Sequence, residues 1–218
     1  MFKNTKGIIL DLDGTVLDSS WVWDKVDVKF LGDRGFDVPK DYVESISPMG
    51  AQKAAVYTIE RFGLHNEKPK DLVREWFRMA KTEYRDKVTC KPGAKSFIKR
   101  MYERGMNLAI ATSSDRELFI PTLRRENILQ YFHSIVTVDE VERGKSFPDI
   151  YEEAARRIAV PAEQCVVFED IITAIKGAKS GGFKVVAVED EKSLCNAEQI
   201  REISDLYISS YQQLQPYL

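Results

Sequence analysis

Ile8-Ile9-Leu10-Asp11-Leu12-Asp13-Gly14-Thr15 is the stretch that decides how this chain is read. A short apolar run ends in two carboxylates set two residues apart, and a glycine follows. An apolar run without polar alternation suits a strand covered on both faces, and Gly14 lets the backbone turn sharply behind it. Carboxylates at the end of such a strand are costly to desolvate unless a cation or hydrogen bonds compensate them. Alone, the stretch has two readings, because Asp13-Gly14 is also an ordinary turn and Asp11 can be a strand-end residue facing water.

Further along, residues 107–111, 134–138, 165–168, 184–188 and 206–208 repeat the pattern of a short run rich in β-branched residues. Helical patterns lie between most of them. Residues 92–104 carry Phe97, Ile98, Met101 and Tyr102, and residues 148–159 carry Ile150, Tyr151, Ala154, Ala155 and Ile158, at helical spacing. Strand and helix in alternation predict an α/β fold with a doubly wound, Rossmann-like parallel sheet, whose ligands gather beyond the carboxyl ends of the strands. Residues 19–88 break the alternation. They hold no strand pattern, but amphipathic helices are predicted near 21–31, 54–62 and 71–88, the last with Leu72, Trp76, Ala80, Tyr84 and Val88 four apart. The expected organisation is a core of residues 1–18 and 89–218, with an all-helical unit, residues 19–88, inserted after the first strand.

Composition narrows the function classes. The 218 residues carry 32 basic and 34 acidic side chains, interspersed, for a net charge of −2. No basic field exists to attract a nucleic-acid backbone or an anionic membrane, so neither partner is expected. The N-terminal apolar run is too short for a signal-peptide core or a bilayer span, and a cytoplasmic monomer is the expected state. Cys90, Cys165 and Cys195 are widely spaced and lack a Cys-x-x-Cys pairing, so reduced, structural thiols are expected. Two histidines leave little for a nitrogen and sulfur zinc site.

Three further segments bear on the acidic turn. The strand ending at Ala111 runs into Thr112-Ser113-Ser114, the strand ending at Val138 into a loop reaching Lys145, and the strand ending at Phe168 into Glu169-Asp170. In a parallel sheet these ends share one side, so two carboxylates, hydroxyls, an ammonium and a second acidic pair converge there. Each has a structural alternative. Ser114-Asp115-Arg116-Glu117 reads as a capping box, Lys145 as a solvated cation, and Asp170 as the N-cap of a helix over 171–180. Their ordered coincidence favours a site for a metal-bound phosphate.

The ordered set Asp11-Leu12-Asp13-Gly14-Thr15-Val16-Leu17-Asp18-Ser19, Ala111-Thr112-Ser113-Ser114, Gly144-Lys145-Ser146-Phe147-Pro148-Asp149 and Phe168-Glu169-Asp170 resembles the haloacid dehalogenase superfamily, in its phosphatase and phosphomutase branch with a helical cap. The resemblance implies that Asp11 attacks phosphorus and that Asp13 works as acid and then base. It implies Mg²⁺ held by Asp11, Asp170 and the Asp13 main-chain carbonyl with Glu169 in support, and phosphate held by Asp11, Gly14, Thr112, Ser113 and Lys145. It also implies that the insert acts as a lid, hinged near residues 17–20 and 84–90.

The expected function is hydrolysis of a small phosphorylated metabolite, a sugar phosphate by class, through an aspartyl-phosphate. The competing enzyme reading is a β-phosphoglucomutase. Mutases of this branch carry a histidine five residues beyond the position of Asp18, where this chain has Trp23, and a cap-loop arginine, where it offers only Lys53 near Met49-Gly50. Trp23, Met49, Gly50 and Lys53 are the candidate contacts to the leaving group. After Asp170 the branch usually has a serine and, three residues further on, a glycine; here Ile171 and Ala174 stand in those places. A reading from another class is a catalytically silent scaffold on the same fold.

Overall fold

The computed structural model describes residues 3–46, 49 and 51–217, with the side chains of residues 44, 216 and 217 left aside. The chain forms two compact units, residues 1–20 with 88–218, and residues 21–87. In chain order the first unit opens with β1 (Gly7–Leu10) and β2 (Leu17–Asp18). The second consists of α1 (Trp21–Gly32), α2 (Lys40–Ile46), α3 (Ala51–Phe62) and α4 (Pro69–Asp86). The first then resumes with β3 (Thr89–Cys90), α5 (Ala94–Glu103), β4 (Asn107–Thr112), α6 (Arg116–Arg125), β5 (Ser134–Thr137), α7 (Asp149–Arg157), β6 (Cys165–Glu169), α8 (Ile172–Ser180), β7 (Lys184–Val188), α9 (Ala197–Ile203) and β8 (Leu206–Ile208).

Six strands form one sheet in the order β5-β4-β1-β6-β7-β8, every pair parallel. β1 lies at its centre. Ile8, Ile9 and Leu10 are fully buried, as the uninterrupted apolar run predicts for a strand covered on both faces. On one face Ile9, Ala109, Val167 and Val185 join Ile150, Tyr151, Ala154 and Ile175 from α7 and α8 in a single core. On the other, Phe97 of α5 packs on Phe168 with ring centres 5.1 Å apart, and Tyr211 stacks on Phe168 at 5.7 Å. Registry aligns Leu10 with both Ile110 and Phe168, so Asp11 lies within a residue or two of Thr112 and of Glu169-Asp170, where β4 and β6 end.

In the helical unit, α4 buries Leu72, Trp76, Ala80 and Tyr84, four residues apart on one stripe. Each large apolar side chain so covered contributes about 1.5–3 kcal/mol. Arg34 stacks on Phe30, 3.7 Å from its ring centre, and bridges Glu67 and Glu75, which ties the chain leaving α1 to the start of α4.

Some elements are set by features other than periodicity. β2 and β3 pair antiparallel through only two residues each, too few for a period, and they bring the two crossings between the units side by side as a short ribbon. That pairing keeps Ser19 and Ser20 with the core, so the helical unit starts at Trp21. α2 follows directly on Pro39, a residue suited to a helix start. α6 is capped by Asp115, whose carboxylate accepts from the Glu117 amide at 2.7 Å. The cap is therefore one residue later than the Ser114 box, and Ser114 is released for another contact.

Gly177 sits inside α8, where glycine ordinarily weakens a helix. The Lys145–Phe147 backbone fills the space where its side chain would begin, with Ser146 C 2.9 Å and Phe147 N 3.0 Å away and the Lys145 carbonyl closer still. The glycine thus seats the Lys145 loop. Gly177→Ala is expected to destabilise the fold by about 1–3 kcal/mol in urea unfolding, although alanine is the better helix former, because the loop must shift.

Candidate active site

The turn after β1 is organised around one carbonyl. Leu12 O accepts from the amides of Thr15 at 3.2 Å, Val16 at 2.9 Å and Leu17 at 2.7 Å, and Gly14 adopts φ +78° to complete the bend. Gly14 is required for a second reason. A side chain there would begin 2.9 Å from the Asp170 carboxyl carbon and 3.2 Å from that of Asp190, so the two acids close on the bare backbone. Tyr211 donates to Thr15 O at 3.3 Å and braces the turn from the C-terminal segment.

Asp11 is the residue at which the strand ends. Its amide still follows the sheet, bonding to Phe168 O at 3.1 Å, and the residue is only 5% exposed. Lys145 reaches in from the loop after β5 and donates to both Asp11 Oδ1 and Glu169 Oε1. Glu169 is held on three sides, because Tyr151 donates to Oε1 at 2.9 Å and the Asp170 amide to Oε2 at 3.1 Å. Asp170 accepts from Thr15 Oγ1 at 3.0 Å. It is not a helix cap: α8 is preceded by Ile171, with no side-chain cap.

Asp13, two residues past Asp11, has a different environment. It is partly exposed, and two hydroxyls hold its carboxylate: Ser19 donates to Oδ1 at 2.6 Å and Ser114 to Oδ2. Thr112, fully buried at the end of β4, accepts from the Ser114 amide at 3.1 Å, which leaves its hydroxyl proton for a further acceptor. Ser113 beside it is exposed.

Carboxylate oxygens of Asp11, Glu169 and Asp170 lie within 4.8 Å of one another, all three buried. An all-oxygen anionic cluster of this kind fits a hard divalent cation. Its electrostatics point the same way. Burial raises the Asp11 carboxyl to about 8 even with Lys145 alongside, and burial followed by Glu169 and Asp11 holds the Asp170 carboxyl well above the usual range. Burial also opposes charge on Lys145, but Asp11 and Glu169 outweigh it and keep the ammonium protonated. The cluster therefore holds more carboxyls than Lys145 alone can keep ionised.

Of the residues expected from the sequence, Asp11, Asp13, Gly14, Thr112, Ser113, Lys145, Glu169 and Asp170 all belong to the first unit, at the carboxyl ends of β1, β4, β5 and β6. Trp23, Met49 and Lys53 belong to the helical unit, where Trp23 packs edge-on against Phe77 at 6.0 Å and Lys53 is exposed. Gly50 lies outside the described residues. Ser19, Ser114, Thr15 and Tyr151 carry contacts that sequence reasoning did not assign. Hydroxyls are too common to single out, and Tyr151 reads as an ordinary core position of α7.

The chain matches the family described as haloacid dehalogenase-like hydrolase over residues 8–188. It is 30% identical over 189 residues to the bifunctional riboflavin kinase/FMN phosphatase of Arabidopsis thaliana, an alignment covering 85% of this chain and 49% of that one. This chain therefore spans about half the length of that relative. It is 28% identical over 190 residues to the fructose-1-phosphate phosphatase of Escherichia coli, covering 86% and 98% of the two. The fold is shared with the crystal structure of β-phosphoglucomutase from Clostridium difficile, at TM-score 0.76, 20% identity and coverage of 97% and 93%. The chain belongs to the haloacid dehalogenase-like hydrolases.

The raised Asp11 carboxyl has a thermodynamic consequence. Between 3.8 and about 8 the folded chain keeps a proton on Asp11 that the unfolded chain has lost. The resulting stability is fully present below 3.8 and drains away as pH rises through about 8. In the presence of a chelator, wild type is expected to lose stability relative to Asp11→Asn across this window, measured by urea unfolding at a series of pH values. A constant difference would remove the burial argument.

Proposed function

We propose that the chain is a Mg²⁺-dependent phosphatase that hydrolyses a small phosphorylated metabolite, a sugar phosphate by class, through an aspartyl-phosphate on Asp11. The observation that carries this reading is the separation of roles between two carboxylates two residues apart. Asp11 is buried against Lys145, while Asp13 is partly exposed and held by two hydroxyls. In this reading the first bonds to phosphorus and the second exchanges protons with solvent and leaving group.

In the proposed reaction an Asp11 oxygen attacks phosphorus and the bond to the leaving oxygen breaks, with Asp13 supplying the proton that the alkoxide needs. Asp13 then takes a proton from water, the water oxygen bonds to phosphorus, and the Asp11–phosphorus bond breaks to release phosphate. Lys145 and Thr112 donate to the phosphoryl oxygens, with the Ser113 and Gly14 backbone lining the same pocket. A preorganised donor of this kind is worth about 3–4 kcal/mol in the transition state. Asp11, Asp170 and the Asp13 carbonyl are the proposed ligands of Mg²⁺. When bound, Mg²⁺ neutralises charge on the carboxylates and on the phosphoryl group. Glu169, its oxygens engaged by Lys145, Tyr151 and the Asp170 amide, orients those groups.

The two curated relatives described above are phosphatases by name, one of FMN and one of fructose 1-phosphate, and they support hydrolysis over group return. Trp23 in place of the mutase histidine supports the same choice. Trp23, Met49, Gly50 and Lys53 remain the proposed determinants of the alcohol portion. A scaffold role is disfavoured by the complete set Asp11, Asp13, Thr112, Lys145 and Asp170, which a silent fold has no reason to hold in this arrangement.

Hydrolysis of an aryl phosphate is expected to require Mg²⁺ and to fall by at least about a thousandfold in Asp11→Asn, with the unfolding transition retained. Near-normal turnover in that variant would sink the assignment. In the same assay, β-glucose 1-phosphate supplied with a bisphosphate primer is expected to release phosphate faster than it yields glucose 6-phosphate, and the reverse order would favour the mutase.

A further inference from the structure

Asp190 follows β7 and plays no part in the chemistry above, yet it is buried to 5% exposure. Its Oδ2 pairs with Lys91 Nζ at 2.8 Å, and its Oδ1 accepts from Ser20 Oγ at 2.7 Å and from the Lys192 amide at 3.1 Å. Lys91 is itself largely buried, its side chain 13% exposed, and it donates also to Glu189 O at 2.6 Å. A buried charge pair of this kind is weak evidence for stability, because desolvation offsets much of the attraction. Its position suggests another role. Ser20 and Lys91 stand just beyond the two ends of the β2–β3 ribbon, and the Lys91 amide bonds to Val16 O at 2.8 Å, so both crossings are fastened to one carboxylate.

That carboxylate adjoins the acidic cluster. Asp190 and Asp170 both close on Gly14, within direct electrostatic reach of each other. The pocket then holds Asp11, Glu169, Asp170 and Asp190, with Lys145 answering the first two and Lys91 the last. Asp190 is not within the cluster of Asp11, Glu169 and Asp170, and its oxygens are engaged elsewhere. It therefore acts on a cation through field and position.

We propose that Lys91 and Asp190 are positioning residues that set the affinity of the adjoining cation site. Lys91 cancels the charge of Asp190, so that Asp170 meets the cation in a field free of a further uncompensated anion, while Asp190 holds the turn at Gly14. The proposal rests on the reading of Asp11 and Asp170 as cation ligands. It makes a sign-specific statement. Removing the anion leaves Lys91 as an unbalanced positive charge and weakens cation binding; removing the cation leaves Asp190 as an unbalanced negative charge and tightens it. Removing both restores the balance. Loss of structure alone would weaken binding in every case.

The test is calorimetric titration of Mg²⁺ alone into the metal-free full chain at fixed pH and ionic strength. Asp190→Asn is expected to raise the Kd by about tenfold and Lys91→Met to lower it by a similar factor. The double variant is expected within about twofold of wild type, and Lys91→Arg, which keeps the charge, likewise. Single variants that fail to shift the Kd in opposite directions would overturn the proposal. Should Asp190→Asn not fold, the Lys91 variants decide: tightening by Met and not by Arg supports the pair, and any other result overturns it. A wild-type chain that binds no Mg²⁺ removes both the cation reading and the pair, whereas wild-type binding with unresponsive variants removes the pair alone.

Discussion

An ammonium group held between two buried carboxylates, Lys145 between Asp11 and Glu169, is the interaction on which the rest of the site depends. Asp11 sits where the central strand of a fully covered sheet ends, a place that ordinarily disfavours a charge. Lys145 reduces the cost of an anion there without cancelling it, since burial still raises the Asp11 carboxyl to about 8, and Lys145 is shared between Asp11 and Glu169. The surrounding structure serves this triad. Tyr151 and the Asp170 amide fix Glu169, and the bare helix position at Gly177 lets the Lys145 loop lie close enough for its side chain to reach the strand ends. One cation among several acids leaves carboxyls that Lys145 alone does not hold ionised, and the proposed divalent ion would supply the missing positive charge.

The same geometry separates the two acids of the turn. Residues two apart on a strand would share a face, but the bend at Gly14 takes over immediately after Asp13 and carries the chain back toward β2. Asp11 stays at the strand end, where Lys145 reaches it, while Asp13 comes within reach of Ser19 from the returning chain and Ser114 from the next strand end. Backbone curvature thus converts a repeated residue type into two environments, and two environments are what a displacement followed by a hydrolysis requires.

Much of this was legible in the sequence, and the reasons are specific. The strand at 7–10 is buried at every residue, which is why its apolar run is uninterrupted, and those at 184–188 and 206–208 keep the bounds of their runs although Lys184 is exposed and Leu206 and Tyr207 are partly buried. Asp11, Lys145 and Asp170 were recoverable because parallel topology places all strand ends on one side, so order along the chain implied neighbourhood in space. What the pattern could not carry was anything set by one or two residues. The β2–β3 ribbon is too short for periodicity. Ser114 reads as a helix cap until Asp115 is seen to fill that role one position later. Asp190 and Lys91 lie about a hundred residues apart on loops with no motif of their own, and only the folded chain brings them beside Gly14. Within the helical unit, the spacing of Leu72, Trp76, Ala80 and Tyr84 identified a buried face, but periodicity of that kind says nothing of which alcohol a substrate carries.

The central claim is that Asp11 forms the covalent bond to phosphorus. Its most direct test is to quench the enzyme during turnover of an aryl phosphate, reduce with borohydride, and sequence the peptides by mass spectrometry. An acyl phosphate on Asp11 is reduced to homoserine, so the account predicts homoserine at position 11, dependent on substrate and on Mg²⁺. Efficient turnover with position 11 recovered only as aspartate, or with homoserine at Asp13 instead, would contradict it.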